Sequence, residues 1–179
     1  MPEQDANEPK QFHQGTPQQN RAFYLKGAGA YDWGLQNRMS RVFRPPKGRT
    51  VMLAVDHGYF QGPTHGLEKP GAVASLLAPH VDALFVTRGV LRAAVDPKLD
   101  TPIILRVSGG ASMVGKDLAN EDVTVGIDDI VRLNAAAVGV SVFIGTEYER
   151  QTLANLTSLV DACTPRGIPV MAVTAVGSR

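Results

Sequence analysis

An aspartate and a histidine, Asp56-His57, directly follow an apolar run and precede Gly58. They form the first place in the chain where side chains and backbone could do chemistry together. A carboxylate so placed serves as a general acid or base, or anchors a substrate hydroxyl. Its ordinary alternative is to cap the following turn. His57, beside a glycine, reads equally as a catalytic or a structural group. Arg106 ends another apolar run, where a guanidinium holds a phosphate or carboxylate through paired hydrogen bonds. It could equally pair with an acid such as Glu147 or Asp56. Thr87 and Thr174 close two further runs and are candidate substrate contacts beside Arg106, while Asp56 and His57 are the candidate catalytic residues.

Other signals are weaker. The stretch Ser108-Gly109-Gly110-Ala111-Ser112 could turn backbone N–H groups toward an anion, although small-residue loops of this kind are common. Thr146, Glu147 and Glu149 open a helical pattern and read as capping and dipole-facing residues, and Asp128 reads as an N-cap. The spacing of His, Cys and carboxylates suggests no metal site. The single cysteine, Cys163, has apolar neighbours and reads as a buried core side chain rather than a nucleophile.

These residues need elements that hold them at a common place. Five runs, Val51 to Val55, Ala83 to Val86, Ile103 to Leu105, Val138 to Ile144 and Val170 to Val173, are continuously apolar, as strands buried on both faces are. Between them, Pro70 to Leu77, Asp128 to Leu133 and Tyr148 to Ala162 place apolar residues at three- and four-residue spacing and predict helices. Strand, helix, strand at this rhythm implies parallel strands joined by crossovers. An open doubly wound sheet and a closed barrel both fit that rhythm. The first run is followed by Asp56-His57-Gly58 rather than a phosphate-binding glycine fingerprint. Polar residues gather just after each run, which is how a barrel builds its site from several strand ends. The pattern therefore favours an α/β fold of the parallel (β/α)8 TIM type. A full barrel takes about 250 residues, so the expectation here is a barrel truncated after about five strands.

Three regions follow from the same reading. Residues 1–21 are rich in Gln, Glu and Pro and predict a tail that is disordered or ordered by a partner. Residues 22–48 form an entry segment with an amphipathic helix from about Gly34 to Phe43, packing outside the main domain or against a second subunit. Residues 49–179 form the incomplete barrel. The chain has a net charge of +1, 44% hydrophobic and 20% charged residues, which leaves no basic footprint for nucleic acid. No apolar run approaches the roughly 20 residues of a membrane span, and no signal or transit sequence is evident. A cytoplasmic location is the expectation, with association into a homo-oligomer through the unclosed sheet edges.

The segments VMLAVDHGYFQGP, ALFVTRGVLR, VFIGTEYER and LKGAGAYDWGLQNRMSRVF together resemble the DhnA-type class I aldolases across almost the whole chain. Within that family the chain is most similar to the thiolase branch that degrades phosphorylated autoinducer-2 in quorum sensing. The resemblance implies acetyl transfer from 3-hydroxy-5-phosphonooxypentane-2,4-dione to coenzyme A through a lysine Schiff base. Coenzyme A would be a co-substrate, with no bound cofactor and no metal. It places the family's first-strand aspartate on Asp56. The family's lysine lies on the sixth strand. Lys10, Lys26, Lys47, Lys69, Lys98 and Lys116 do not end a predicted strand, so the Schiff-base lysine is expected to be absent and the chain inactive alone. An inactive fragment that only associates is one alternative. A class I sugar-phosphate aldolase is another, but the fifth run, VTAVGSR, lacks the tyrosine that the resemblance would require of one.

Overall fold

The computed structural model describes residues 23–177 apart from residues 63 and 116, so the expected tail, Lys10 and Lys116 lie outside the described residues. Helix α1 (Trp33–Val42) is the first helix among the described residues, with the Asp32 side chain accepting a hydrogen bond from the Leu35 N–H at 3.0 Å. Strand β1 (Met52–Ala54) and the single turn α2 (Gly58–Gln61) follow. Next come α3 (Pro70–Leu77), β2 (Ala83–Thr87), α4 (Arg88–Ala94) and β3 (Ile103–Arg106). A small hairpin, β4 (Ser108–Gly109) with β5 (Asp122–Val123), intervenes before α5 (Ile127–Arg132). Strand β6 (Ala137–Ile144), helix α6 (Glu149–Cys163) and strand β7 (Val170–Val176) complete the order.

The main sheet has five strands in the order β1-β2-β3-β6-β7, and every neighbouring pair is parallel. All five predicted strands are present, each within a few residues of its predicted bounds. Alternation along each strand divides the sheet into two faces. The outer face carries Leu84, Val86, Leu105, Val138 and Val140, all at most 1% exposed, beneath the helices. Each such side chain contributes about 1.5–3 kcal/mol by burial. One outer cluster joins Leu105, Val107, Ile130, Val138, Leu159 and Cys163; the other joins Val55, Ala74, Leu84 and Val86. Cys163 is thus the core residue that its neighbours in sequence suggested.

The inner face is curved. On a flat sheet β1 and β6 would lie about 14 Å apart, at roughly 4.8 Å per strand. Here Asp56, just past β1, and Ser141 on β6 both bond the same guanidinium, that of Arg106 on β3. Phe85, Ile104, Ala137, Met171 and Val173 line this face toward the strands' amino ends, and Val42 and Phe43 of the entry segment pack against them. Helix α1 is therefore part of the domain, laid across the amino ends of the strands. The expectation was packing outside the main domain or against a second subunit; within this chain Val42 and Phe43 pack against the inner face. Its apolar side was legible in the sequence; that Arg38 would tie it to the Arg166 and Gly167 carbonyls, at 3.3 and 3.2 Å, was not.

Two helix starts also differ from expectation. The N-cap of α5 is Gly126, and Asp128 and Asp129 occupy its first turn, where negative charge favours the helix dipole. Thr87 caps α4, an element the sequence pattern did not reveal, by accepting from the Val90 N–H at 3.2 Å.

Gly139 is the tightest point of the inner face: a Cβ there would lie 2.4 and 2.6 Å from the Phe85 ring and 3.3 Å from Met171. The ring is wedged among buried neighbours and has little room to move. Gly139→Ala is expected to cost about 1–3 kcal/mol through overpacking, read as a lower urea midpoint with an unchanged slope.

Candidate active site

Three elements bring charge to the carboxyl ends of the strands. Strand β1 delivers Asp56, which is 4% exposed and turned onto the concave face rather than capping the next turn. Strand β3 delivers Arg106, 6% exposed. The hairpin delivers Glu121, 3% exposed, from the residue just before β5. Arg106 Nη1 donates to Asp56 Oδ2 at 3.2 Å, while Nη2 donates to Glu121 Oε1 and Oε2 at 3.1 and 3.0 Å. Its Nε donates to the Ser108 carbonyl at 3.3 Å, and Nη2 also faces the hydroxyls of Tyr59 and Ser141. The guanidinium also stacks on the Tyr59 ring, 4.7 Å from its centroid.

Every nitrogen of Arg106 thus has a partner inside the protein. Of the two readings open in the sequence, ion pairing is the one observed, with Asp56 as foreseen and Glu121 instead of Glu147. Glu147 is exposed. Nη1 carries a second N–H beyond the one given to Asp56, so Arg106 acts mainly as an internal counter-ion while keeping one donor outside these bonds.

The expected site residues divide. Asp56, His57, Arg106 and Thr87 come to the same end of the sheet, and Thr87 lies in register with Arg106. Thr87 is already engaged as the cap of α4. Thr174 pairs in register with Val142, whereas Ser141 of the concave cluster pairs with Val173. The two-residue period of a strand therefore points Thr174 away from the cluster, and it is exposed. His57 Nδ1 sits 3.7 Å from Asp56 Oδ1, beyond hydrogen-bond reach, and has no other partner among the described residues.

Tyr59, Glu121 and Ser141 were not anticipated, and Ser108 was read only as part of an anion-facing loop. Glu121 Oε2 accepts from Ser108 Oγ at 2.7 Å, Oε1 accepts from the Tyr59 hydroxyl, and the Glu121 carbonyl accepts from Asn155 of α6 at 3.2 Å. The glycine-bearing stretch once considered for anions is the first half of the hairpin that carries Glu121. Gly109 of the hairpin lies beside the Tyr59 ring, where a Cβ would make ordinary contact at 3.6 Å.

Two buried carboxylates share one cation. Burial raises the Asp56 pKa above the ordinary carboxylate value, and the nearby Glu121 adds to the rise; Arg106, its own backbone N–H and His57 oppose it. Burial and the bond to Glu121 push the Tyr59 phenol far up, so it stays protonated and acts as a donor. A carboxyl that readily holds a proton, beside a fixed positive charge at the mouth of a parallel sheet, is suited to giving and taking protons in carbonyl chemistry.

Comparison with known proteins adds the following. Residues 50–177 match the model of the DeoC/LacD family aldolases. The chain is 51% identical over 173 residues to a 3-hydroxy-5-phosphonooxypentane-2,4-dione thiolase of Escherichia coli O139:H28 (strain E24377A / ETEC), covering 97% of this chain and 59% of that protein. It is 50% identical over 175 residues to the thiolase of the same description from Enterobacter sp. (strain 638), covering 98% and 59%. The chain thus spans 59% of the length of these relatives. A fructose-bisphosphate aldolase from Slackia heliotrinireducens superposes with a TM-score of 0.71 at 15% identity, over 88% of this chain and 54% of that one. At that identity the likeness concerns the fold, which is that of part of a (β/α)8 barrel.

Removing the shared cation is expected to be far worse than removing one acid. Arg106→Leu leaves two buried carboxylates uncompensated and should cost about 3–5 kcal/mol near neutral pH. Asp56→Asn leaves one acid to one arginine and should cost no more than about 1.5 kcal/mol. Because the folded Asp56 pKa is raised, its favourable contribution is present at low pH and lost as pH rises through that pKa. The Asn penalty should accordingly be largest at acid pH and shrink as pH rises above the ordinary aspartate range in urea unfolding.

Proposed function

Since this chain belongs to the DeoC/LacD aldolase family, we propose that it supplies the acid–base half of a Schiff-base site acting on a phosphorylated dicarbonyl compound. The reaction is acetyl transfer from 3-hydroxy-5-phosphonooxypentane-2,4-dione to coenzyme A. The observation that carries this reading is Asp56, buried on the concave face at the end of β1 with a raised pKa and held by Arg106. The thiolase relatives at 50–51% identity support the choice of substrate.

In this reading a lysine amine attacks a substrate carbonyl and is held as an iminium, while Asp56 moves protons to and from the oxygen that leaves as water. The amine comes from the part of the relatives' length that this chain does not span. Among the described residues, Lys26 and Lys47 flank α1, Lys69 precedes α3, and Lys98 lies between α4 and β3; all are exposed. Most of the phosphate contacts fall to residues other than Arg106, whose guanidinium is largely engaged by Asp56 and Glu121. His57 lies beside Asp56 and is open to solvent on one side, which suits a role in passing protons to it. Association with further copies and a cytoplasmic setting belong to the same proposal.

A sugar-phosphate aldolase is less well supported, because β7 ends in Thr174, Ala175 and Val176 without a phenol.

Two experiments test the reading. The 179-residue chain, mixed with the phosphodione and borohydride, should show no mass increase; a stoichiometric adduct on one of its lysines would refute the assignment of the amine. Grafted in place of the matching part of the Escherichia coli thiolase, the chain should restore acetyl-CoA formation. Asp56→Asn in that graft should lower kcat by about 10²–10⁴-fold. An undiminished rate in the Asn variant would remove Asp56 from the mechanism.

A further inference from the structure

Arg106 does not divide its charge evenly. Glu121 receives two contacts from Nη2, together with the hydroxyls of Ser108 and Tyr59. Asp56 receives one side-chain bond, from Nη1 to Oδ2 at 3.2 Å. Its Oδ1 has the His57 Nδ1 3.7 Å away and no side-chain hydrogen bond among the described residues, and its own backbone N–H is the further donor to the carboxylate. We propose that Glu121 is a positioning residue of this site: it takes the larger share of the Arg106 guanidinium and leaves Asp56 as the carboxyl that holds the proton.

The physical case is one of charge and donors. With both acids ionised, the cluster would be a net negative charge out of contact with water. A single proton relieves that cost most cheaply on the oxygen with the fewest donors. That oxygen is Asp56 Oδ1. Glu121 is solvated by four donor contacts and gains least from a proton. The groups in direct reach of Asp56 are Arg106 from β3 and the adjacent His57, with Glu121 from the hairpin and Tyr59 from α2 joined to it through Arg106 Nη2. From β6 the neighbouring polar group is Ser141, which is uncharged. The direction of the Asp56 pKa, upward with a contribution from Glu121, agrees with this geometry. The hairpin that interrupts the strand-helix rhythm thereby has a chemical role. It carries a second carboxylate to Arg106 and anchors it through Asn155 of α6.

The meaning for catalysis rests on the reading of Asp56 as the acid–base group, but the readout does not. Asp56 can be titrated by carboxyl carbon NMR in the chain labelled with [13C]aspartate, its signal assigned by Asp56→Asn. In Glu121→Gln the guanidinium is left to Asp56 alone, and its proton affinity should fall by about tenfold or more, one pKa unit. In Tyr59→Phe, Glu121 loses a donor and draws harder on Arg106, so the Asp56 midpoint should rise. The second variant keeps every charge and carries the test if the first does not fold. An Asp56 midpoint that stays put, or moves opposite to these signs, overturns the proposal. A graft that keeps its rate without the Asp56 carboxyl would overturn the catalytic reading instead, leaving the titration result intact.

Discussion

The arrangement turns on a guanidinium buried between two carboxylates. Arg106 is 6% exposed, and an isolated charge so placed would be severely destabilising. It is tolerated because β1 and the hairpin each bring an acid to it, while Ser108, Ser141 and Tyr59 occupy what the acids leave. Those partners come from five segments scattered between residues 56 and 141. The ion cluster thus specifies how the sheet must curve, since only a concave face lets β1 and β6 reach the same group.

Apolar packing does the complementary task at the other end. Helix α1 places Val42 and Phe43 against the inner residues of β1, β2, β3 and β7, closing the amino ends of the strands with hydrophobic contact. On the outer face the helices bury Leu84, Leu105, Val138 and their neighbours. The concave face is consequently apolar below and charged above. That division is what a site for a polar substrate at strand carboxyl ends requires. It also explains why a compact glycine, Gly139, stands where Phe85 and Met171 meet: the curvature leaves no room there for a Cβ.

For function, the consequence is that charge is allocated before substrate arrives. Arg106 serves mainly as an internal counter-ion to Asp56 and Glu121. Asp56 has one side-chain bond among the described residues, to Arg106, against the four donor contacts of Glu121. The hairpin between β3 and α5 is the element that sets this allocation, although it contributes little to the sheet itself.

The repeating part of this structure was legible in the sequence. Continuous apolar runs identified the five parallel strands, the spacing in 34–43, 70–77, 128–133 and 148–162 identified four of the helices within a residue, and the position of Asp56 after the first run put it at the carboxyl end of β1. These features are periodic or sit at element ends, so each is written in a short window of residues. The packing of α1, the outward face of Thr174, the capping role of Thr87 and the whole contribution of Glu121 and Tyr59 were decided only by tertiary structure. Glu121 lies in a polar stretch with no period, and nothing local distinguishes it from an ordinary surface glutamate. Its significance comes from desolvation beside Arg106, and burial of an isolated polar residue is a property of the folded surroundings that no local pattern encodes.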